Sequence, residues 1–586
     1  MELDFYSGLV AALVAGGAEL IFRWIPELIA VRSQKENKVF TVLITTLWAL
    51  HQACKKSNIF LAFLVGLCFG RPLDGLAVGA VIELMFLGVF IVGAAVPPQP
   101  YLSTTLATIL VIRAGITTEE ALTLVIPVAV MSQLLFMAAT SFNHVALGIA
   151  KRKAEEGDIV GVDMANTAWQ WVQISVMLIP AFIAGFIGVP AIKGLQPAGW
   201  LMEGLGAVAG MLPALGFALL LYQMGTKMIG FLFLGMFTAL YIKPDSLALA
   251  GCGVALALIY LLVTRDREDT SVPEAAPPER RERRLKLTDG DLTAMFWRHQ
   301  NLFGVASWEV LGGLGFAQAM VPVIRRLYTT KEEISAALKR HMVFYNTNPW
   351  LGSLIPGVVA SMEEERANGE PVDEAAIQGV KVAMMGPFGG VGDSLFWSTY
   401  MPIILAIAAS WARSDSVALQ WLAPITAGGS LIASMILIQY NLQRFGYRRG
   451  LAALQDLQQR NLLADLSKAA TVVGQFVIGG LVVTLIRLKI RWAPSFFGTS
   501  PIQIQTILDS ILPNLLPILL FFFCYWLLKK GKSAIFIMVV LLLISILGAY
   551  PINLPLFNNT SILGEPVKAV AEGGESLLLW RSVVGA

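Results

Sequence analysis

Residues 75–99 read GLAVGAVIELMFLGVFIVGAAVPPQ, an apolar run punctuated by glycine and proline that carries a single acid, Glu83. A carboxylate at that depth in hydrocarbon costs about 2.5–3.5 kcal/mol on insertion scales, so it needs a polar partner. Two partners are open. Facing a hydrophilic cavity, Glu83 can accept hydroxyl hydrogens from a polyol; packed against protein, it can accept from a neighbouring helix or backbone. Interrupted apolar segments are the pattern of re-entrant hairpins and discontinuous helices, tolerated where protein or a cavity surrounds the backbone. Val125–Met137, VIPVAVMSQLLFM, reads the same way.

Outward from this run the chain keeps its apolar character. Of 586 residues, 56% are hydrophobic and 14% charged, against roughly 25% charged in a soluble domain; the mean hydropathy is +0.68. Runs near the ~20 residues a bilayer requires recur at Ile174–Ile192, Leu205–Leu221, Ala248–Val263, Leu422–Ile438 and Ile511–Leu528. No strand-like alternation accompanies them, so the fold class is all-α: a polytopic helical membrane protein with re-entrant hairpins.

Charge patterning narrows the classes further. A net charge of +3 gives no footprint for nucleic acid. Basic clusters such as Lys151-Arg152-Lys153 and Lys529-Lys530-Gly531-Lys532 mark cytoplasmic loops. The first residues, Met-Glu-Leu-Asp, lack a basic n-region, so the N-terminus is expected to be retained. Cys54, Cys68, Cys252 and Cys524 stand singly, and His51, His144, His299 and His341 form no pair with metal spacing. No catalytic, cofactor or metal site is expected. His299 and His341 are read as solvated, beside charged neighbours.

One stretch breaks the pattern. Thr264–Lys286, TRDREDTSVPEAAPPERRERRLK, holds seven basic residues, six acidic residues and three prolines, too little apolar surface to fold. It divides the chain into membrane halves at 1–263 and 287–586, with 264–286 as linker. The second half opens with polar structure: a capping-box start at Thr288–Asp291, an amphipathic interfacial helix over Leu292–Phe303, a charged helix over Lys331–Phe344, and an acidic stretch, Ser361–Glu374, that could dock a basic partner or form a solvated face. Tyr447–Leu466 reads as a further polar helix.

Candidate ligand contacts accompany Glu83. Gln133 sits six residues after Pro127, and Gln99 follows Pro97 and Pro98; an amide both donates and accepts. In the second half, Gly386–Trp397 reads GPFGGVGDSLFW. It lacks the lysine of a phosphate loop and a preceding strand, so its glycines serve close backbone approach. Asp393 beside Trp397 pairs a charged acceptor with an aromatic face, as a sugar ring requires. Asn346 and Asn348 add two amides before a helix. Turn and capping roles are the alternative for each.

FWRHQNLFG (296–304), LGFAQAMVPVIRRLY (314–328), RHMVFYNTNPW (340–350), EEERANG (363–369), IQGVKVAMMGPFGGVGDSLFW (377–397) and IQIQTILDSILPNLLP (502–517) resemble the IID subunit of mannose-family phosphotransferase systems. VGAVIELMFLGVFIVGAAVPPQ (78–99) and IPVAVMSQLL (126–135) resemble the IIC subunit. The resemblance implies a sugar-conducting unit of the bacterial cytoplasmic membrane, an elevator-type transporter whose mobile core carries a hexose-type sugar past a fixed scaffold, assembled as a homotrimer of the fused halves. It also implies a separate IIB protein, charged by IIA, that bears the phosphohistidine. Glu83 matches the family's buried glutamate and Asp393 its GVGD aspartate. Ile91 and Gln99 stand where mannose-type relatives commonly have Asn and Asp, and LHQACKKSNIF (50–60) replaces a polar segment. Each hydrogen-bonding group lost there costs about 1–3 kcal/mol, which points away from mannose itself. A non-transporting membrane receptor and a secondary sugar transporter are the alternative readings.

Overall fold

The computed structural model describes residues 5–12, 56–87, 100–167, 169, 182–183, 185–186, 199–265, 285–307, 309–450, 462–492, 503–550 and 562–563. Among them every regular element is a helix, with three isolated β-bridges besides. That is the arrangement lipid imposes, because only a helix satisfies its backbone groups within one segment. Five of the described helices are long and apolar enough to cross a bilayer: Met131–Glu155, Leu247–Thr264, Glu374–Ala412, Val417–Arg449 and Lys468–Leu485. A sixth candidate is Ile504–Ile511 followed by Leu515–Lys529, bent by 78°. Pro513 and the left-handed Asn514 (φ 59°) form its corner, since proline cannot extend the preceding helix.

The expected spans Ala248–Val263, Leu422–Ile438 and Ile511–Leu528 fall on these helices, and Leu205–Leu221 lies inside the Gly199–Met224 helix. Most of Ile174–Ile192 lies outside the described residues, as do Ile91, Gln99 and linker residues 266–284. Val125–Met137 is not broken. Thr118–Glu155 runs as one 38-residue helix through Pro127, opened by a capping box between Thr117 and Glu120. Glu83 lies on the second arm of a hairpin whose arms are Asn58–Cys68 and Pro72–Phe86, joined at residues 69–71; the expected turn at Pro97, Pro98 and Gln99 lies outside the described residues. GPFGGVG is helical; a Cβ at Gly386, Gly389 or Gly390 would meet nothing closer than 3.8 Å, so the close approach expected of its glycines holds at Gly392 alone.

The two halves interleave. Gly199–Met224, Ile229–Tyr241 and Ser246–Arg265 of the first half pack on Leu462–Leu485, Leu515–Lys529 and Ala534–Ala549 of the second. The tightest crossing joins Ile229–Tyr241 to Leu462–Leu485. A Cβ at Gly235 would lie 1.8 Å from the Phe476 carbonyl oxygen, and one at Gly479 would lie 2.0 Å from that of Leu232. Only glycine permits the approach, the device by which helices associate in lipid without a hydrophobic driving force.

A second assembly, Asp289–His299, Gly313–Leu327, Lys331–His341, Leu354–Ala367 and Tyr440–Arg449, closes around a second core to which Leu147, Ala150 and Val162 of the first half also contribute. Thr288 and Asp291 form the expected capping box. The apolar face of that helix is covered by protein, however, with Met295 and Phe296 buried, and the helix ends at His299. The polar helix expected over Tyr447–Leu466 ends at Arg449, before Gly450; residues 451–461 lie outside the described set.

The acidic stretch and the two histidines depart most from expectation. Glu363 and Glu364 are fully enclosed. Glu363 accepts from Arg340 Nε at 2.6 Å, Arg340 Nη2 at 2.8 Å and Tyr328 OH at 2.6 Å. Glu364 Oε2 accepts from the Leu287 N–H at 2.8 Å and Tyr447 OH at 2.5 Å. These acids anchor neighbouring segments rather than meet solvent. Burial raises the Glu363 carboxyl, but hydrogen bonds from Arg340 and His341 outweigh it and hold the group well below the usual carboxylate range. His341 and His299 are buried too. Burial lowers His299 to about 4, and it lowers His341 to about 4 against the opposing pull of Glu363.

The sign of the consequence is fixed. Between an unfolded value of 6.5 and a folded value of about 4, the unfolded chain binds protons on both imidazoles that the folded chain refuses. Stability therefore rises with pH through this window, with a slope approaching about 2 protons. Thermal unfolding of the detergent-solubilised protein is expected at lower temperature at about pH 5 than at about pH 7.5. Replacing His299 and His341 with Gln should flatten that dependence, and an unchanged slope would refute the assignment.

Candidate functional site

Glu83 lies on the Pro72–Phe86 helix and is 3% exposed. Its oxygens point at the first turn of Asn58–Cys68. Ser57 Oγ donates to Oε2 at 3.2 Å, the Ile59 N–H to Oε2 at 3.1 Å, and Asn58 Nδ2 to Oε1 at 3.4 Å. The carboxylate thus caps a neighbouring helix at its N-terminus, where backbone N–H groups lack intrahelical partners and the dipole favours negative charge. Ser57 is the helix's own N-cap and accepts from the Phe60 N–H at 3.2 Å. Thr104 Oγ1 donates to Asn58 Oδ1 at 2.9 Å, which ties in the Pro100–Ile109 helix.

Asp393 opens a π-helical stretch, Asp393–Tyr400, that continues the Glu374–Gly392 helix. The wider turn re-aims its side chains, and such departures recur at functional sites. Asn348 Nδ2 donates to Asp393 Oδ1 at 3.0 Å, while Asn348 Oδ1 accepts from the Trp350 N–H at 2.9 Å and the Leu351 N–H at 3.3 Å. Asn348 therefore caps the turn before Leu351–Ser353 and holds the acid at once. Gly392 is required here, because a Cβ would come within 2.4 Å of Asn348 Cβ. Asp393 is half-buried, and its second oxygen accepts no hydrogen bond among the described residues. Trp350 stacks on Phe396 at 5.1 Å and meets Trp397 edge-on at 5.1 Å.

Lys56 joins the two clusters. It precedes Ser57 in the Glu83 cage, and its Nζ lies 4.3 Å from the Trp350 ring centre and 5.6 Å from that of Trp397, within reach of a cation–π attraction. Through Lys56 the segment that cages Glu83 in the first half reaches Trp350 and Trp397 of the second. Lys56, Ser57, Asn58, Thr104 and Trp350 were not among the candidates from sequence. The signal was the polar tract KKSN between apolar runs, noted only as a replaced segment.

The remaining described candidates make other contacts. Gln133 is buried on Thr118–Glu155 between exposed Met131 and Leu134. Asn346 is half-buried, and its N–H meets Met385 Sδ at 3.3 Å. A cleft of about 790 Å³ lies elsewhere, between residues 156–160 and the side chains of Arg325 and Lys331.

Residues 286–552 match the family model described as the PTS system mannose/fructose/sorbose family IID component, and residues 38–259 match that of the PTS system sorbose-specific IIC component. The fructose permease IID component of Bacillus subtilis is 36% identical over 272 residues, covering 46% of this chain and 97% of the relative. The mannose-specific EIID component of Escherichia coli is 36% identical over 278 residues, 45% of this chain and 93% of the relative. The sorbose-specific EIIC component of Klebsiella pneumoniae is 30% identical over 201 residues, 34% of this chain and 76% of the relative. A cryo-EM structure of the mannose transporter ManYZ with microcin E492 aligns at 36% identity over 45% of this chain and 96% of that chain, with a TM-score of 0.27.

The Glu83 cage makes a stability prediction. An amide oxygen can still accept from Ser57 and Ile59, and only Asn58 Nδ2 loses its acceptor, so Glu83→Gln should lower stability in detergent by about 1 kcal/mol. Glu83→Leu strands buried donors at about 1–3 kcal/mol each and should lower the midpoint clearly. Equal midpoints for the two variants would show that the cage carries no stability.

Proposed function

Because the chain belongs to the mannose/fructose/sorbose family of phosphotransferase-system permeases, as a multi-pass membrane unit with IIC and IID parts in one polypeptide, we propose that its sugar is held at the junction of Lys56, Asn348, Asp393 and Trp397. The observation that carries this is the half-buried Asp393: Asn348 fixes one oxygen at 3.0 Å and the other is left to accept hydroxyl hydrogens. Trp397 supplies an aromatic face for the C–H surface of a pyranose or furanose ring. Glu83, saturated by Ser57, Asn58 and Ile59, acts as a positioning residue that sets the backbone from which Lys56 projects. Gln133 and Asn346 stay as expectations of the sequence.

The finer reading follows from the family. The protein sits in the bacterial cytoplasmic membrane, with 264–286 as a cytoplasmic linker between the units 1–263 and 287–586. The short helices Asn58–Cys68 and Pro72–Phe86 act as a re-entrant hairpin in an elevator-type motion that exposes the junction to each side in turn. Three copies assemble. A hexose-type sugar reaching the inner face receives a phosphoryl group from the phosphohistidine of a separate IIB protein, itself charged by IIA. The phosphorus–nitrogen bond breaks, a phosphorus–oxygen bond forms, and the proton of the sugar hydroxyl passes to the imidazole that leaves.

Vesicles supplied with phospho-IIB test this. Sugar phosphate should accumulate, whereas a proton or sodium gradient alone should drive no uptake; the reverse would make the protein a secondary transporter. Removing a hydrogen bond to a charged group costs about 1.5–3 kcal/mol, roughly 10–100-fold in affinity. Asp393→Asn should weaken sugar binding by about that factor, and Trp397→Ala should weaken it as well. Unchanged uptake in both variants, at equal membrane levels, would move the sugar site elsewhere.

A further inference from the structure

The halves also meet outside the glycine crossing, and there the contact is polar and buried. Residues 159–167 are helical, with the Gly161 N–H bonded to Asp158 Oδ1 at 2.8 Å. Asp163, Asn166 and Thr167 share one face of this helix, at i, i+3 and i+4. All three are buried, and all three face the second half. Arg298 Nη1 donates to both oxygens of Asp163, at 2.6 and 2.7 Å. Gln318 Nε2 donates to Asp163 Oδ1 at 3.0 Å and Thr167 Oγ1 at 3.3 Å. Its oxygen accepts from Asn166 Nδ2 and, at 3.1 Å, from Asn301 Nδ2. The cluster extends to Asn143, whose Nδ2 donates to the Ala306 carbonyl at 2.6 Å. Lys151 and Glu309 pair at 2.5 Å on the exposed rim.

This contact differs in kind from the intramembrane one. Packing of small residues accepts many partners, whereas a buried carboxylate, guanidinium and amide set is satisfied only by its complement. Removing one member leaves the others desolvated and unpaired. Such groups therefore discriminate among partners more than they add stability. Discrimination has a use here. In the Bacillus subtilis relative, a IID component is covered over 97% of its length by residues matching the second half alone, so pairing must be encoded on the surfaces that meet.

We propose that Asp163, Asn166 and Thr167 form a recognition surface that selects a IID part presenting Arg298, Asn301 and Gln318, and that this surface, rather than the linker, decides which two halves pair. It does not depend on where the sugar binds. The test uses the full chain with a protease site placed within 266–284 and an affinity tag at the C-terminus. After cleavage in mild detergent, the first half should be retained on the tagged second half. Asp163→Lys and Arg298→Glu should each reduce retention at least about tenfold, and the double reversal should restore it, which a general folding defect would not allow. If the single reversals fail to fold, Asp163→Asn, which keeps shape and removes charge, decides: reduced retention supports the surface. Undiminished retention in the single variants or in Asp163→Asn, or a double reversal no better than the single ones, would overturn it.

Discussion

A carboxylate carried into an apolar helix pair has to be met by donors from another segment, and in this protein Glu83 meets them at a buried helix start. Ser57, Asn58 and the Ile59 N–H converge on it. Their geometry requires that Asn58–Cys68 begin beside the last turn of Pro72–Phe86. Beginning a helix there places Lys56 just before it, and Lys56 reaches the aromatic wall of the second half at Trp350. The arrangement of the junction depends on that one satisfied acid.

The second half answers with the same economy. Asn348 caps the turn into Leu351–Ser353 and grips Asp393 with its amide, so the backbone stop and the acid's position share one side chain. The π-helical turn from Asp393 to Tyr400 then brings Phe396 and Trp397 against Trp350. The proposed sugar site at Asp393 rests on a carboxylate held by Asn348 beside an aromatic face. The chain's place among IIC and IID permeases supplies the sugar and the membrane setting.

Two sorts of contact hold the halves to each other. In the membrane, Gly235 and Gly479 let backbones touch, which lipid cannot oppose by offering anything better packed. Away from that crossing, Asp163, Arg298 and Gln318 exchange hydrogen bonds in a buried cluster. Closeness comes from the first, and selectivity from the second. The Glu363–Arg340 pair plays a comparable part inside the second half, where it fixes Leu354–Ala367 against Lys331–His341.

Local composition was enough to determine that this is a helical membrane protein in two parts, because hydropathy is a sum over neighbours in sequence and lipid reads that sum directly. It also marked Asp393, whose glycine and aromatic neighbours lie within four residues. Partners were another matter. Glu83 finds Ser57 26 positions away and Arg340 finds Glu363 23 positions away, while Lys56 finds Trp350 across the two halves. Glu363, Glu364 and the two histidines stand among charged neighbours in sequence; packing buries them against residues no local window contains, while Glu365 stays half-buried. An unbroken helix through Pro127 likewise depends on what surrounds it. Which polar group meets which is decided by the assembled structure, since a buried charge is stabilised by the donors that folding brings to it and not by those beside it in the chain.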